Sequence, residues 1–249
     1  VLQRMTAMVT IAKQEGRPPH EIMSDMHMLF LGPPGTGKTT CGKRFAIMLK
    51  QLEILPTDRF HYTTANQLIG RYVGSTGNNT TEAMKKATGG ILFVDEAYGM
   101  LPKHANSFGR DIMQTLLDGV TSEEFKGKLI VILGGYEEHV TEIFNENPGF
   151  QSRFDKMRVY FPEWNADQSA SALIDKLEGE GKTFTQEAKN ALPEYFDTLV
   201  NLDNWASARD VMENIRPNLE TARAGRAYEK QQAAMRTDSG SDSASSESP

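Results

Sequence analysis

Residues 28–40 read MLFLGPPGTGKTT, and this stretch decides the fold. Its first four residues are all apolar, which is typical of a strand that is buried on both faces. The next eight residues, 32–39, fit the pattern G-x-x-x-x-G-K-[ST] and lead into a helical stretch. Glycines let backbone N–H groups converge on phosphate oxygens, and the following helix adds the positive end of its dipole. The stretch therefore predicts a strand–loop–helix unit that binds phosphate.

Within this loop, two side chains have specific expected tasks. Lys38 is expected to reach the β- and γ-phosphates of ATP, and the Thr39 hydroxyl is expected to bind Mg²⁺. The alternative is a glycine-rich turn with a chance lysine, which the strand before the loop and the helix after it argue against. The nucleotide-binding residues that we predict are Gly32, Pro33, Pro34, Gly35, Thr36, Gly37, Lys38, Thr39 and Thr40.

A later strand-like run, residues 91–94, is followed by two adjacent carboxylates, Asp95 and Glu96. Like charges at the tip of a strand repel each other, so the pair makes physical sense beside a metal-bound nucleotide. We expect Asp95 to hold Mg²⁺ and Glu96 to polarise the attacking water as a catalytic residue. The pair alone would be weak support, but its position 57 residues after Lys38, on the third strand-like run of the chain, makes it strong. The sequence thus predicts an ATP-hydrolysing enzyme.

Short apolar runs alternate with helical stretches over the first two thirds of the chain. Since these runs are apolar throughout rather than at every second residue, they predict a parallel sheet that is buried on both faces. The runs are residues 28–31, 60–64, 91–94, 129–133 and 157–161.

After the last of these runs the pattern changes to helices alone. We predict an α/β nucleotide-binding domain over residues 1–162, a helical domain over 163–228 and a disordered tail rich in Ser, Asp and Glu over 229–249. Pro193 and Pro217 fall inside later helical stretches and are expected to kink or split them. Because the chain begins inside a helix-like pattern, we expect its N-terminus to be truncated.

Composition excludes several classes of protein. The net charge of −6 argues against nucleic acid or an anionic membrane as the partner. A single cysteine, Cys41, excludes an internal disulfide and a cysteine-built zinc site, and we expect it to be a small buried residue. The five histidines show no ligand spacing, so no structural metal is predicted. No run is long enough to span a bilayer and no signal-peptide pattern is present, so an intracellular, cytoplasmic location without membrane insertion is expected.

Taken together, these motifs resemble the AAA+ ATPases, and within them the CbbX/CfxQ branch. The resemblance covers about residues 5–225. It implies a doubly wound five-stranded P-loop ATPase domain, a small all-α lid, a homo-oligomeric ring that is usually hexameric, and ATP-driven remodelling of a protein client. The strings that carry it are GPPGTGKTT, LIGRYVGSTGNNT, GGILFVDEAY, VILGGY, NENPGFQSRF and NWASARDVMEN.

The resemblance also implies roles for residues outside the phosphate loop. Tyr72 and Val73 match the first pore loop, where aromatic rings of successive subunits grip a polypeptide. The other reading of Tyr72 is an ordinary half-buried aromatic near the end of a strand. Arg153 matches the arginine finger, which acts in trans on the γ-phosphate bound by a neighbouring subunit. Its alternative is a surface arginine paired with Asp155 or a nearby glutamate.

Two further residues, Arg209 and Tyr136, are expected to lie near the nucleotide. Arg209 matches sensor 2, a lid arginine that touches the nucleotide, and its alternative is a salt bridge with Asp210 or Glu213. The fourth strand of most relatives ends in a polar residue that orients the attacking water, whereas this chain has Tyr136 after two glycines. Tyr136 is expected to form a hydrogen bond near the γ-phosphate, a role that the motif alone leaves open.

Three functions share this core. The first is an ATPase motor that remodels a protein client, whose identity the sequence does not reveal. The second is a nucleotide-gated scaffold with slow hydrolysis or none, for which Tyr136 and the lid prolines leave room. The third is a nucleic-acid motor, which the acidic balance and the pore-loop tyrosine argue against.

Overall fold

The computed structural model describes residues 7, 9–12, 14–24, 26–72, 74–105, 108–202, 204–223 and 226. The predicted disordered tail, residues 229–249, lies outside the described residues, and so does Val73 of the predicted pore loop. The chain packs as two compact units that divide between Glu163 and Trp164.

The first unit is built on a single parallel sheet of five strands. The strands are β1 (Met28–Leu31), β2 (Phe60–Thr64), β3 (Ile91–Asp95), β4 (Ile130–Gly135) and β5 (Met157–Tyr160). They lie in the order β2-β3-β4-β1-β5, and every pairing is parallel. This confirms the predicted fold class. The carboxyl ends of β1, β3 and β4 therefore meet at one edge, where ligands bind in open α/β sheets.

Helices cover both faces of this sheet. They are α1 (Pro19–Ser24), α2 (Lys38–Gln51), α3 (Ala65–Leu68), α4 (Ser75–Ala87), α5 (Pro102–Ala105), α6 (Phe108–Thr121), α7 (Glu137–Glu146) and α8 (Pro148–Phe154), with a 3₁₀ turn over Ala97–Met100. Alternate residues of one strand enter different cores: Leu29 and Leu31 pack with α4, α6 and α8, whereas Met28 and Phe30 pack with α2. Both faces of the central strands β1, β3 and β4 are covered, which is why these strands are almost entirely apolar, whereas the edge strands β2 and β5 are only partly buried.

The second unit is helical. Its first helix, α9 (Ala166–Gly179), begins with a capping box, because the Asn165 side chain accepts a hydrogen bond from Gln168 N and the Gln168 side chain accepts one from Asn165 N. The helix α10 (Gln186–Val200) follows, and a π-helical segment covers Asp210–Ile215. Leu173, Phe196 and Val211 are fully buried in the core of this unit.

Pro193 was expected to kink or split its helix, and the structure shows no split. α10 runs through Pro193 without a break. Proline removes one backbone hydrogen bond, and the fully buried Phe196 holds the second half of the helix against the core. Pro217 follows the π-helical segment over Asp210–Ile215. A π turn is wider than an α turn, so it relieves the crowding between a proline ring and the carbonyl four residues earlier.

The expectation that Cys41 is buried is also wrong, since its thiol group is exposed. The buried positions of α2 include Lys38, Gly42, Phe45 and Leu49, and Cys41 lies at the edge of the stripe that they form. In the ranges given above, none of the helices is both long and apolar enough to cross a membrane.

Candidate functional site

The loop between β1 and α2 folds around its own lysine. Lys38 Nζ donates hydrogen bonds to the carbonyl oxygens of Gly32 and Pro33, each at 2.7 Å. Lys38 is only 7% exposed, so its ammonium group lies inside the loop. Thr36 Oγ1 donates to the same Pro33 carbonyl at 2.9 Å. The loop thus holds a positive charge in a fixed place, which suits a phosphate ligand.

Backbone geometry explains why this loop is rich in glycine. At Gly32 the φ angle is +148°, and a β-carbon there would lie 2.1 Å from the carbonyl oxygen of Phe161. Only glycine fits where the loop leaves β1 beside the end of β5. Gly37 precedes α2 in a left-handed conformation and provides no side-chain cap. The first turn of α2 thus has no side-chain cap, in keeping with an anion site at a helix N-terminus.

The end of β4 lies between this loop and Asp95, the last residue of β3. Gly32 N donates to Gly135 O at 3.0 Å, which joins the start of the loop to β4. The Asp95 carboxylate lies against Gly134 of the neighbouring strand, since a β-carbon built on Gly134 would be 2.5 Å from Asp95 Oδ1. That oxygen also accepts a hydrogen bond from Glu96 N at 2.9 Å. The fold therefore brings the loop and the carboxylate together across adjacent strand ends.

These residues fit a magnesium ion that arrives with a nucleotide. Mg²⁺ in such sites takes one or two protein oxygens, and phosphates and water supply the others. The Asp95 carboxylate and the Thr39 hydroxyl at the start of α2 are oxygen donors of the required kind. Across the described part of the chain, no group of three or more His, Cys, Asp or Glu side chains could hold a metal without such help.

Glu96 has an unusual backbone conformation. Its φ angle is +52°, in the left-handed region, and it precedes the 3₁₀ turn over Ala97–Met100. A non-glycine residue in this region costs on the order of 1 kcal/mol, and such strain concentrates at catalytic sites. Glu96 is exposed, whereas Ala97 beside it is fully buried. The strained turn leaves the Glu96 carboxylate accessible at the edge of the sheet where the loop lies.

Tyr136 belongs to a cluster of three rings beside the carboxylates. Its ring centroid lies 5.6 Å from that of His139, which lies 5.5 Å from that of Tyr98. Burial raises the pKa of Tyr98, and the negative charges of Glu96 and Asp95 raise it further. Tyr98 is thus within electrostatic reach of both carboxylates. The His139 Nδ1 atom is buried and has no hydrogen-bond partner among the described residues.

Sequence reasoning missed Tyr98 and His139. Tyr98 stands inside the string GGILFVDEAY, two residues after Glu96, and His139 stands three residues after Tyr136 on α7. The sequence did contain a signal, because Tyr136 and His139 are three residues apart, which is one helical turn. It could not be interpreted without knowing that the 3₁₀ turn and α7 pack together.

Arg153 lies in the last turn of α8 and is exposed. Its Nη1 atom donates to Ser152 Oγ at 2.6 Å. Asp155, the carboxylate considered as its partner, instead forms two hydrogen bonds with Arg158. This arrangement leaves the Arg153 guanidinium in solvent, where a finger that acts in trans has to be.

Tyr72 is 78% exposed, so the alternative of a half-buried aromatic is wrong. Its backbone is nevertheless held, because Tyr72 N donates to Ser75 Oγ at 3.1 Å and Tyr72 O accepts a hydrogen bond from Ser75 N at 3.0 Å. A fixed backbone presents the ring to solvent. That is the geometry a gripping residue needs.

Arg209 lies in the second unit and precedes its π-helical segment. Asp210, one of its two considered partners, accepts hydrogen bonds from Ala206 N and Asn214 Nδ2, each at 2.6 Å. The Arg209 side chain is exposed.

Comparisons with known proteins agree with the motifs. A family model described as "ATPase family associated with various cellular activities (AAA)" matches residues 28–162. The CfxQ homolog of Galdieria sulphuraria is 34% identical over 191 residues, which cover 76% of this chain and 62% of that protein. Protein CbbX of Cereibacter sphaeroides is 34% identical over 187 residues, which cover 75% of this chain and 60% of that protein.

Among solved structures, a crystal structure of the FIGL-1 AAA domain in complex with ADP has a TM-score of 0.49 and 18% identity, covering 75% of this chain and 57% of that chain. The chain spans about three fifths of the length of the two curated relatives described above.

Proposed function

The chain belongs to the AAA family of ATPases, and from this premise we propose that it binds ATP with Mg²⁺ at the loop between β1 and α2 and hydrolyses it. One observation carries the proposal. The Lys38 ammonium is held inside the loop by two carbonyls at 2.7 Å, and β4 joins this loop to the strand end that carries the Asp95 carboxylate. A fixed cation after β1 and a metal-binding carboxylate at the end of β3, with only β4 between them, are what a magnesium-bound triphosphate requires.

Each residue of the site then has a task that its chemistry allows. Lys38 would neutralise the β- and γ-phosphates, and Asp95 and Thr39 would hold Mg²⁺. The ion, when bound, neutralises charge that develops on the phosphate oxygens. Glu96 would accept a proton from the attacking water. Tyr136 would contribute its hydroxyl near the γ-phosphate, since it directly follows the strand that passes beside the loop.

We further propose that copies of the chain assemble into a ring, with six subunits as the expected number, and that the ring acts on a protein client. Arg153 would reach the γ-phosphate bound by the neighbouring subunit, and Tyr72 would contact the client in the central pore. The 78% exposure of Tyr72 on a hydrogen-bonded turn and the solvent position of Arg153 support these roles. Arg209 would sense the nucleotide from the helical lid.

A nucleotide-gated scaffold is the second candidate. The ring of Tyr136 packs 5.6 Å from that of His139, so an aromatic cluster occupies the place where a small polar residue usually orients the water. Slow hydrolysis would follow if this cluster orients water poorly. A nucleic-acid motor is disfavoured by the net charge of −6.

Steady-state turnover of ATP separates these functions. We expect wild-type protein to hydrolyse ATP with Mg²⁺, and Glu96→Gln to bind ATP but to turn it over at least about 100-fold more slowly, because a general base contributes that much. Glu138→Gln, which changes an exposed carboxylate on α7, is the matched control and should hydrolyse at the wild-type rate. Equal turnover by wild type and Glu96→Gln would remove Glu96 from catalysis. Bound ATP without turnover in the wild type would favour the scaffold.

A further inference from the structure

We propose that Arg158 is a positioning residue that fixes α8, the helix that carries Arg153, against the start of α7. Hydrolysis in the neighbouring subunit then depends on Arg158. The inference rests on the proposed trans role of Arg153. Arg158 lies on β5. Arg158 does not contact the nucleotide in the proposed site, and it acts by positioning Arg153.

At one end, Arg158 holds the residue that terminates α8. Its Nε atom donates to Asp155 Oδ1 at 2.6 Å, and its Nη2 atom donates to Asp155 Oδ2 at 2.8 Å. Asp155 is the C-cap of α8 and stands two residues after Arg153. Paired donors of a guanidinium bonded to both oxygens of one carboxylate form a planar and geometrically specific contact. The end of the helix that carries Arg153 is therefore bonded to β5.

At the other end, the same guanidinium holds the first residue of α7. Arg158 Nη1 donates to Glu137 Oε1 at 2.8 Å, and Tyr160 Oη donates to the same oxygen at 2.8 Å. Glu137 directly follows Tyr136, which caps α7. Arg158 thus bonds a residue adjacent to the proposed γ-phosphate sensor and a residue adjacent to the proposed finger.

This contact differs from an ordinary surface ion pair. Exposed pairs contribute little to stability, since both side chains stay mobile and solvated. Here the side chains of Arg158 and Asp155 are 33% and 17% exposed, that of Glu137 is 50% exposed, and the two carboxylates share one guanidinium. The hydrogen bond from Arg158 is also the largest effect that lowers the pKa of Asp155, so this carboxylate stays charged.

The rest of α8 is anchored in a different way. Phe150 and Phe154 are fully buried, with ring centroids 4.3 Å apart, and they hold the helix to the core of the first unit. α8 has only seven residues, and in its last turn Arg153 is exposed whereas Phe154 beside it is buried. The loss of Arg158 would leave Phe154 in the core and free the Asp155 cap and the exposed side of the turn that carries Arg153. The expected consequence is a misplaced Arg153 in a folded protein.

Mixed rings test this. Lys38→Ala chains cannot bind nucleotide but still provide a finger, and Arg153→Ala chains bind nucleotide but provide none. We expect each chain alone to be inactive and the mixture to hydrolyse ATP, because sites of the second chain meet fingers of the first. We then add Arg158→Leu to one chain at a time. In the Lys38→Ala chain it should lower the activity of the mixture about 10-fold or more, since small misplacements of a catalytic group cost this much. In the Arg153→Ala chain it should change that activity less than about 2-fold, because the buried residues Val140, Ile143 and Phe144 hold α7, and Tyr136 before it, without the bond to Glu137.

Two variants and one control complete the design. Arg158→Lys keeps the charge but loses the paired donors, so it should restore activity only in part. Asp155→Asn removes the ion pair with little change in shape and should reproduce the asymmetry if Arg158→Leu fails to fold. Arg110→Leu is the matched control, since Arg110 is an exposed arginine of α6 that pairs with Glu146 at 3.1 Å. It should have no effect in either chain.

The outcomes separate the two proposals. No activity in the Lys38→Ala and Arg153→Ala mixture would overturn the trans finger, and with it the role of Arg158. Activity in that mixture, with Arg158→Leu acting equally in both chains or in neither, would overturn the role of Arg158 alone. A loss confined to the chain that donates the finger supports it.

Discussion

Gly134 determines whether the Asp95 carboxylate can lie at the end of β4. A β-carbon at Gly134 would be 2.5 Å from Asp95 Oδ1 and 3.2 Å from a ring carbon of Phe93. Asp95 would have to move, because the ring is buried and the strand is paired on both sides. The lack of a side chain at this position is therefore part of the proposed magnesium site.

We expect Gly134→Ala to keep the fold but to lower magnesium-dependent turnover of ATP roughly 10- to 100-fold, the usual consequence of displacing a catalytic group by about 1 Å. Gly135→Ala is the matched control, since a β-carbon there would meet its nearest neighbour at an ordinary 3.8 Å. Turnover is measured at saturating ATP over a range of Mg²⁺ concentrations. Equal turnover by both variants would contradict the account of Asp95.

Single residues could be predicted where a local motif defines their chemistry. Lys38 and Asp95 belong to such motifs, and the structure brings their chain segments together. The role of Arg158 could not be predicted, because its second partner, Glu137, begins α7 and is 21 residues away in the sequence. Asp155 is only three residues from Arg158, but that spacing alone does not reveal the contact with α7. Cys41 was predicted wrongly, because helical spacing alone does not show how wide the buried stripe of α2 is.

At the scale of elements, His27 connects the start of β1 with β4 and α8. Its Nδ1 atom accepts a hydrogen bond from Val131 N at 3.1 Å, and its ring lies 5.4 Å from that of Phe154. Burial, together with the charge of Lys156, lowers the pKa of His27 to about 4 from 6.5. The histidine is therefore neutral in the folded protein at neutral pH, as its acceptor role requires.

This low pKa makes stability depend on pH. Between pH 6.5 and about 4 the unfolded chain binds a proton at His27 that the folded chain does not, so the free energy of unfolding falls as the pH falls. We expect a loss on the order of 2 kcal/mol at this residue between pH 7 and pH 4.5. Urea unfolding at the two pH values measures it. His27→Gln, whose amide oxygen can accept the same hydrogen bond, should lose less stability over this range than the wild type. The same loss in both proteins would contradict the assignment.

The predicted strands agree closely with the structure. The run 28–31 is β1, which is apolar throughout because both of its faces are buried, and the run 60–64 is β2, an edge strand that is only partly buried. β4 extends to Gly135, two residues beyond its predicted end, since glycines carry no apolar signal. Pro193 was expected to kink or split its helix, but α10 continues through it without a split, and the buried Phe196 packs the second half of the helix against the core.

At the scale of the whole molecule, the family match over residues 28–162 confirms the resemblance inferred from the motifs. A parallel sheet in the order β2-β3-β4-β1-β5 places the loop after β1 beside the ends of β3 and β4. Ring assembly and the client depend on surfaces of other molecules, and for this reason no pattern within one chain specifies them. They stay proposals that Arg153 and Tyr72 support.

The central claim is that the loop after β1 binds a triphosphate whose magnesium Asp95 helps to hold. Calorimetric titration of the folded chain with ATP and Mg²⁺ tests it most directly. We expect the wild type to take up a single nucleotide per chain, removal of Mg²⁺ to weaken this binding, and Lys38→Ala to abolish it. Absence of uptake by folded wild-type protein, or equal uptake by Lys38→Ala, would contradict the claim.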